Sequence, residues 1–184
     1  MKTIIAIALL ILFIVFIGWF GKSTTAYAGE SKSSVEVYME RVEPYKDTIL
    51  RILDEERVPR EFIFLCLAES GGDPDNISKA GAAGLWQLMP FTANNYGLAP
   101  ADRFDVEKST RAAAKYIRHL LDVFDGDHRW AIAAYNAGGH NLKRATKYHK
   151  GMDFSVVKIK RPAAYALAQT VKGMASLYPE YPEQ

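Results

Sequence analysis

The sequence is poor in the groups that build metal, redox and nucleotide sites. It has one cysteine, Cys66, which excludes an intramolecular disulfide framework and a cysteine-rich zinc or iron–sulfur site. Its four histidines show no HExxH spacing, and neither a GxxxxGK[ST] loop nor a GxGxxG turn occurs, so the sequence predicts no metal and no cofactor. With 23 basic against 21 acidic residues among 184, it also lacks the charge excess that is typical of nucleic-acid binding.

One long uncharged run is present, and it lies at the N-terminus. Between Lys2 and Lys22 there are 19 residues without a charge, followed by Ala26-Tyr27-Ala28, which has small residues where a signal peptidase reads them. This predicts an export signal over residues 1–28, cleaved after Ala28. The alternative is a retained membrane anchor over residues 4–20, because 19 helical residues span about 28 Å. Both readings put the rest of the chain in the periplasm or cell envelope, or outside the cell.

The remainder of the chain is dominated by helical periodicity, with no convincing pair of alternating strands. It predicts an all-α fold, with residues 29–43 as a linker and the start of the first helix, 44–178 as one domain and 179–184 as a tail. The last helix is predicted to begin at Pro162. Residues 71–89 and 149–160 are predicted as loops, and the other helices are expected over residues 44–56, 60–70, 90–97, 105–124, 130–136 and 142–148.

Glu69 is the residue that points most directly to chemistry. It follows seven uncharged residues and precedes Ser70-Gly71-Gly72, so it is predicted in the last turn of a helix. The negative end of the helix dipole and the apolar neighbours should both raise the pKa of its carboxyl group. A carboxyl group that is still protonated near neutral pH can donate a proton to a leaving oxygen. The alternative is an exposed glutamate at a frayed helix end.

Two further segments supply groups that suit a sugar ligand. Gly-rich sequence after Glu69 leads into Trp86-Gln87-Leu88-Met89-Pro90, in which an aromatic face is combined with an amide that both donates and accepts hydrogen bonds. Tyr135 and Asn136 end another apolar helix before a double glycine. For Trp86 and Met89, core packing is the alternative, and a buried, hydrogen-bonded role is the alternative for Tyr135 and Asn136.

Taken together, these segments resemble a known family. ESGGDPDNISKAGAAGLWQLMP, STRAAAKYIRHL and AAYNAGG occur in this order, and they are similar to motifs of the catalytic domain of lytic murein transglycosylases, most of all the membrane-bound type D group. The resemblance covers about residues 45–178. It implies the lysozyme-like α fold that this domain shares with goose-type lysozymes.

The resemblance also implies an activity. The substrate would be the peptidoglycan glycan strand, cut between N-acetylmuramic acid and N-acetylglucosamine without water, with a 1,6-anhydromuramoyl product. Glu69 would be the single acid and base: it protonates the glycosidic oxygen and then takes the proton of the muramoyl C6 hydroxyl as that oxygen closes on C1. The N-acetyl group of the substrate would replace the second carboxylate of ordinary glycosidases.

Substrate-contacting roles follow from the same resemblance. Ser78 matches the serine of an S-x-x-G-A motif, and Tyr165 is aligned with the tyrosine of a C-terminal E-T-R-x-Y motif that reads RPAAY here. Gly72 stands where the family often has an aromatic residue. The full set of expected substrate-binding residues is Ser78, Trp86, Gln87, Met89, Tyr135, Asn136 and Tyr165.

Several alternatives stay open at this stage. The function could instead be that of a hydrolytic goose-type lysozyme, or of a catalytically silent glycan-binding module in an envelope machine, and such a machine is also left open as a partner. Asp73 and Asp75 are more typical of a turn than of a second carboxylate. Cys66 is expected to be an inert buried thiol, His140 a solvated histidine and the basic cluster over residues 143–150 a solvated face.

Overall fold

The computed structural model describes residues 33–138, 147, 149–150, 153–155, 157 and 162–178. The predicted export signal over residues 1–28, the tail over 179–184 and His140 lie outside the described residues. So do the predicted helix over 142–148, apart from Lys147, and half of the predicted loop over 149–160. The described residues His149, Ser155 and Val157 are helical, so the loop prediction is wrong at these positions.

In the described residues the regular secondary structure is helical, apart from two isolated antiparallel bridges, Ile77 with Ala83 and Ala83 with Leu88. This agrees with the all-α prediction. The helices are α1 (Ser34–Val42), α2 (Lys46–Glu55), α3 (Ile63–Ser70), α4 (Pro90–Asn95), α5 (Val106–Val123), α6 (His128–Ala137) and α7 (Pro162–Leu177).

The start of the fold differs from the predicted helix over residues 44–56. A separate helix, α1, precedes it and begins at a capping box, in which the side chains of Ser33 and Glu36 each bond the other residue's backbone N–H. Pro44 lies in a 3-10 turn, Glu43–Tyr45, between α1 and α2. Because proline has no N–H to donate, it suits the first turn after a break better than a helix interior.

The later helix ends follow the sequence signals. Asp105 caps α5 by accepting a hydrogen bond from the backbone N–H of Lys108, and Asp127 caps α6 in the same way. The helix α3 begins after a 3-10 turn, Arg60–Phe62, and ends at Gly71, whose φ of 66° is left-handed. The predicted helix over residues 60–70 is therefore confirmed for residues 63–70, and its first three residues form the 3-10 turn.

The core is built around α3, whose residues Ile63–Leu67 are fully buried. The helices α6 and α7 pack against each other, α7 also contacts α3, and α5 lies against α2 and α6. A helix that is apolar on all sides is expected at the centre of a fold. The last turn of α3, which carries Glu69, consequently lies at the edge of the core. None of the helices in the described residues is long and apolar enough to cross a membrane.

Candidate active site

Glu69 lies in the last turn of α3, where its side chain is half-buried. Its carboxyl group makes no hydrogen bond or ion pair with any described residue. Burial raises the pKa of this carboxyl from 4.5 to about 7, because the charged form loses hydration without gaining a compensating partner. A substantial fraction of the group is therefore still protonated at neutral pH, as a general acid requires.

The carboxyl group borders a cleft of about 320 Å³. Among the described residues that line it, Glu69 is the only acidic one and no side chain is basic. Five of the expected substrate-binding residues are in the lining. The described residues around the cleft are Glu69, Ser78, Ala82, Gln87, Leu88, Met89, Thr92, Tyr116, Tyr135, Asn136 and Gly138.

One wall of the cleft is the loop between α3 and α4. Ser78 closes a turn over residues 78–82, since its Oγ accepts a hydrogen bond from the N–H of Ala82 at 3.0 Å. Gln87 has a φ of 46°, a left-handed value that is unusual for a residue with a side chain. Its Nε2 donates to the carbonyl oxygens of Asn76 and Gly84, both at 3.0 Å. Because both amide protons are used within the loop, Gln87 has its Oε1 left as an acceptor for a ligand.

A half-buried clamp, the side chain of Arg103, holds the same loop. The guanidinium group of Arg103 donates to the carbonyl oxygens of Gly81 at 2.8 Å and Leu88 at 2.9 Å. Beneath it, Gly84 has a φ of 79°, and a Cβ atom there would overlap the backbone carbonyl oxygen of Arg103. The loop can thus approach the chain before α5 only with glycine at this position.

The wall opposite the loop is formed by the end of α6. Tyr135 is buried, and its hydroxyl donates to the backbone carbonyl oxygen of Trp86 at 2.7 Å, which ties α6 to the loop. Burial raises the pKa of Tyr135 well above its ordinary value, and the nearby Glu69 carboxyl adds to this effect. Asn136, next along the helix, is exposed and lines the cleft. The two side chains therefore have different roles. Tyr135 joins α6 to the loop, and Asn136 is open to a ligand.

Trp86 does not face the cleft, so the expectation that its ring contacts a sugar is wrong. The side chain is fully buried, and its Nε1 donates to Thr110 Oγ1 on α5 at 2.8 Å. A fully buried indole ring has no face left for a ligand. The core-packing alternative is correct for Trp86, whereas Met89 is 41% exposed and borders the cleft.

Tyr165 is not among the described residues that line the cleft. It lies on α7, and its ring is stacked on that of Phe154 with a centroid distance of 5.5 Å. The sequence RPAAY differs from the family pattern at this point, and proline at the start of α7 allows the helix to begin there. A direct contact of Tyr165 with a ligand in this cleft is therefore not supported.

The remaining acidic and thiol candidates have structural roles. Asp73 Oδ1 accepts a hydrogen bond from the N–H of Asp75 at 2.9 Å, a turn contact, and neither residue lines the cleft. Cys66 is fully buried, and burial raises the pKa of its thiol far above the ordinary value, so it is inert. No cluster of described residues could hold a metal ion.

The packing of α1 explains why residue 72 is a glycine and not the aromatic residue that the family often has there. The φ of Gly72 is 76°, and a Cβ atom would lie 2.8 Å from the backbone oxygen of Tyr38 on α1. The guanidinium group of Arg41 donates to the carbonyl oxygen of Gly71 at 3.1 Å. The helix α1 therefore packs directly on the end of α3, which a larger residue at position 72 would prevent.

Sequence reasoning missed six residues of this site, among them Ala82, Leu88 and Gly138 of the cleft lining. Tyr116 and Thr92 line the cleft, and Arg103 fixes its loop. Tyr116 was visible only as an apolar position in the periodicity of α5, and Arg103 only as one of many charged residues. Neither signal distinguishes a site residue, because the contacts that matter join distant parts of the chain.

Comparisons with known proteins agree with this architecture. A family model described as "Transglycosylase SLT domain" matches residues 51–157. Membrane-bound lytic murein transglycosylase D of Escherichia coli K12 is 35% identical over 141 residues, which are 74% of this chain and 31% of that protein. A transglycosylase of Enterobacteria phage PRD1 is 36% identical over 95 residues, 50% of this chain and 35% of that protein. The chain thus covers about a third of the length of these relatives.

Two solved structures share the fold. The soluble lytic transglycosylase SLT70 of Escherichia coli superposes with a TM-score of 0.67 at 23% identity, covering 78% of this chain and 25% of that one. An inactive mutant of lytic transglycosylase Slt from Pseudomonas aeruginosa gives 0.63 at 24% identity, covering 74% and 24%. At this identity the likeness concerns the fold, and it confirms the predicted lysozyme-like class.

Proposed function

The chain belongs to the transglycosylase SLT domain family, and from this premise we propose that it is a lytic transglycosylase of the cell envelope that cleaves peptidoglycan between N-acetylmuramic acid and N-acetylglucosamine. The observation that carries the proposal is the Glu69 carboxyl group: unpaired, half-buried, with its pKa raised to about 7, at the edge of a cleft without other charges among its described residues. Glu69 is the only acid among the described lining residues that can give its proton to a glycosidic oxygen in this cleft.

The reaction uses the Glu69 carboxyl group twice, first as an acid and then as a base. Neutral Glu69 gives its proton to the glycosidic oxygen as the bond to the muramoyl C1 breaks, so the N-acetylglucosamine leaves with a free 4-hydroxyl group. The resulting carboxylate takes the proton of the C6 hydroxyl, and the C6 oxygen closes on C1 to form the 1,6-anhydro ring. Glu69 ends protonated, no water is consumed, and an oxocarbenium-like transition state is expected.

The absence of a second acid from the described lining supports an internal nucleophile. A retaining glycosidase places two carboxyl groups about 5–5.5 Å apart, and an inverting one about 6.5–9.5 Å apart with water between them. Glu69 has no such partner among the described residues that line the cleft. The C6 hydroxyl and the N-acetyl group of the substrate can take over the nucleophilic part without a protein carboxylate.

We also propose export of the chain by residues 1–28, either through cleavage after Ala28 or through a retained anchor. The name of one relative in Escherichia coli, a membrane-bound murein transglycosylase, supports a location in the envelope. Peptidoglycan is the expected partner, and no nucleic acid is expected.

The product distinguishes this proposal from the goose-type hydrolase. We expect purified sacculi digested with the full-length protein to release muropeptides that end in 1,6-anhydromuramic acid, lighter than reducing-end products by one water molecule in mass spectrometry. Digestion in heavy-oxygen water should leave these products unlabelled. Reducing ends that carry the heavy oxygen would instead identify a hydrolase, and the absence of any release would favour a silent glycan-binding module.

A further inference from the structure

Three tyrosine rings form a row beside the cleft. The ring centroids of Tyr96 and Tyr116 are 5.1 Å apart, and those of Tyr116 and Tyr135 are also 5.1 Å apart. Tyr116, on α5, is in the middle of the row and is 4% exposed. It lines the same cleft as Glu69 and Tyr135.

The two tyrosine hydroxyls at the cleft differ in what they can still offer. Tyr135 has given its single proton to the backbone carbonyl oxygen of Trp86. The hydroxyl oxygen of Tyr116 is buried and has no hydrogen-bond partner among the described residues. Burial raises the pKa of Tyr116 above its ordinary value of 10, so its proton is retained at every physiological pH. Tyr116 is therefore the cleft tyrosine with a proton to donate.

An unpaired buried hydroxyl destabilises the folded protein unless something pairs with it. Phenylalanine at position 116 would keep the ring contacts with Tyr96 and Tyr135 and would avoid this penalty. The hydroxyl is thus explained better by a ligand of the cleft than by packing.

We propose that the Tyr116 hydroxyl donates a hydrogen bond to the acetamido carbonyl oxygen of an N-acetylhexosamine bound in the cleft. This inference rests on the proposed function. It specifies that the acetamido group is the part of the sugar recognised by α5. An amide carbonyl accepts hydrogen bonds and donates none, which suits a lone donor, and the adjoining methyl group suits the aromatic and aliphatic lining. Because the Tyr116 hydroxyl is not accessible to solvent, the cleft wall must move slightly for the acetamido group to reach it.

The hydrogen bond also gives the N-acetyl group a fixed place. An acetamido group that is to assist at C1 must be held in one orientation while the glycosidic bond breaks. Tyr116 would supply that hold from the α5 side, while Gln87 Oε1 and Asn136 are available to sugar hydroxyls. Tyr116 is thus a substrate-positioning residue and takes no part in moving the reaction's proton.

The test is a cycle that removes one hydroxyl group from the protein and the N-acetyl groups from the ligand. The full-length protein carrying Glu69→Gln, which blocks cleavage, is titrated by calorimetry with tetra-N-acetylchitotetraose and with the same tetrasaccharide after de-N-acetylation. Adding Tyr116→Phe should weaken binding of the acetylated ligand about tenfold and leave the de-N-acetylated one unchanged. The melting temperature of Tyr116→Phe should equal or exceed that of its parent.

Tyr96→Phe is the matched control, since it removes a hydroxyl from the end of the same ring row, at a residue that does not line the cleft. It should leave the binding of both ligands unchanged. Equal losses for both ligands, no loss for either, or a lower melting temperature in Tyr116→Phe alone would overturn the inference. If the Glu69→Gln parent binds neither tetrasaccharide, the proposed function itself fails and this inference with it; if the parent binds and Tyr116→Phe has no effect, only this inference fails.

Discussion

Glu69→Gln should reduce the release of muropeptides from sacculi by about 10²–10⁴-fold, the range expected when a general acid is lost. The amide has nearly the same shape as the carboxyl group but cannot give up a proton to the glycosidic oxygen. Binding of the glycan should be retained, because the cleft keeps its lining. The rate is measured as soluble muropeptide released per unit time at fixed sacculus concentration.

The same variant should be more stable than the wild type at pH 8. Burial raises the pKa of Glu69 from 4.5 to about 7, so between these values the folded protein binds more protons than the unfolded chain. Stability conferred by this group is therefore present below about pH 4.5 and is lost as the pH rises through 7. At pH 8 we expect Glu69→Gln to gain up to about 3 kcal/mol in free energy of unfolding, and nearly nothing at pH 4.

Asp75→Asn is the control for charge removal near Glu69. Asp75 is exposed in the turn after α3 and does not line the cleft. Its loss should leave muropeptide release unchanged. If Asp75→Asn lowered release as strongly as Glu69→Gln, the single-carboxyl mechanism would be wrong, because a second acid would be required.

Gly84→Ala should destabilise the fold by about 3–5 kcal/mol, because two penalties coincide. The φ of 79° is unfavourable for any residue with a Cβ atom, and that atom would overlap the backbone carbonyl oxygen of Arg103. The backbone cannot move aside as a flexible side chain can. The loop would therefore have to lose its hydrogen bonds to the Arg103 side chain. The free energy of unfolding is measured by urea titration monitored by circular dichroism.

Gly81→Ala separates these two penalties. Gly81 has a similar φ of 85°, but a Cβ atom there would meet nothing within 4 Å. It should therefore cost only about 1 kcal/mol, the price of the backbone conformation alone. Equal losses in Gly81→Ala and Gly84→Ala would show that close approach to Arg103 contributes nothing to the stability of the loop.

The sequence alone was sufficient for the features that depend on near neighbours. The helical periodicity of α5, the cap Asp105 and the left-handed stop at Gly71 are each encoded within a few residues. The helix predicted over residues 130–136 instead begins at His128, after the cap Asp127. The position of Glu69 in the last turn of α3 follows in the same way from an apolar run that ends in a double glycine. Its raised pKa could be foreseen because a mostly apolar helix must be buried.

The features that sequence reasoning could not reach depend on contacts between distant segments. Whether Trp86 turns its ring to the cleft or to the core is decided by Thr110, 24 residues away, which accepts its N–H. Tyr116 looks like any other core position of α5 until the end of α6 is placed beside it. Likewise the Gln87 amide was expected to offer both donors and an acceptor to a sugar, whereas its two amide protons hold the loop that carries it.

Glu69 is expected to keep its proton near neutral pH while it borders the cleft. The most direct test is a carbon-13 NMR titration of the glutamate side-chain carboxyl signals, with the Glu69 resonance assigned by its loss in Glu69→Gln. A midpoint of about 7 is expected for this carboxyl group. A midpoint near 4.5, the ordinary value for glutamate, would mean that Glu69 is ionised at neutral pH and would contradict its role as the proton donor.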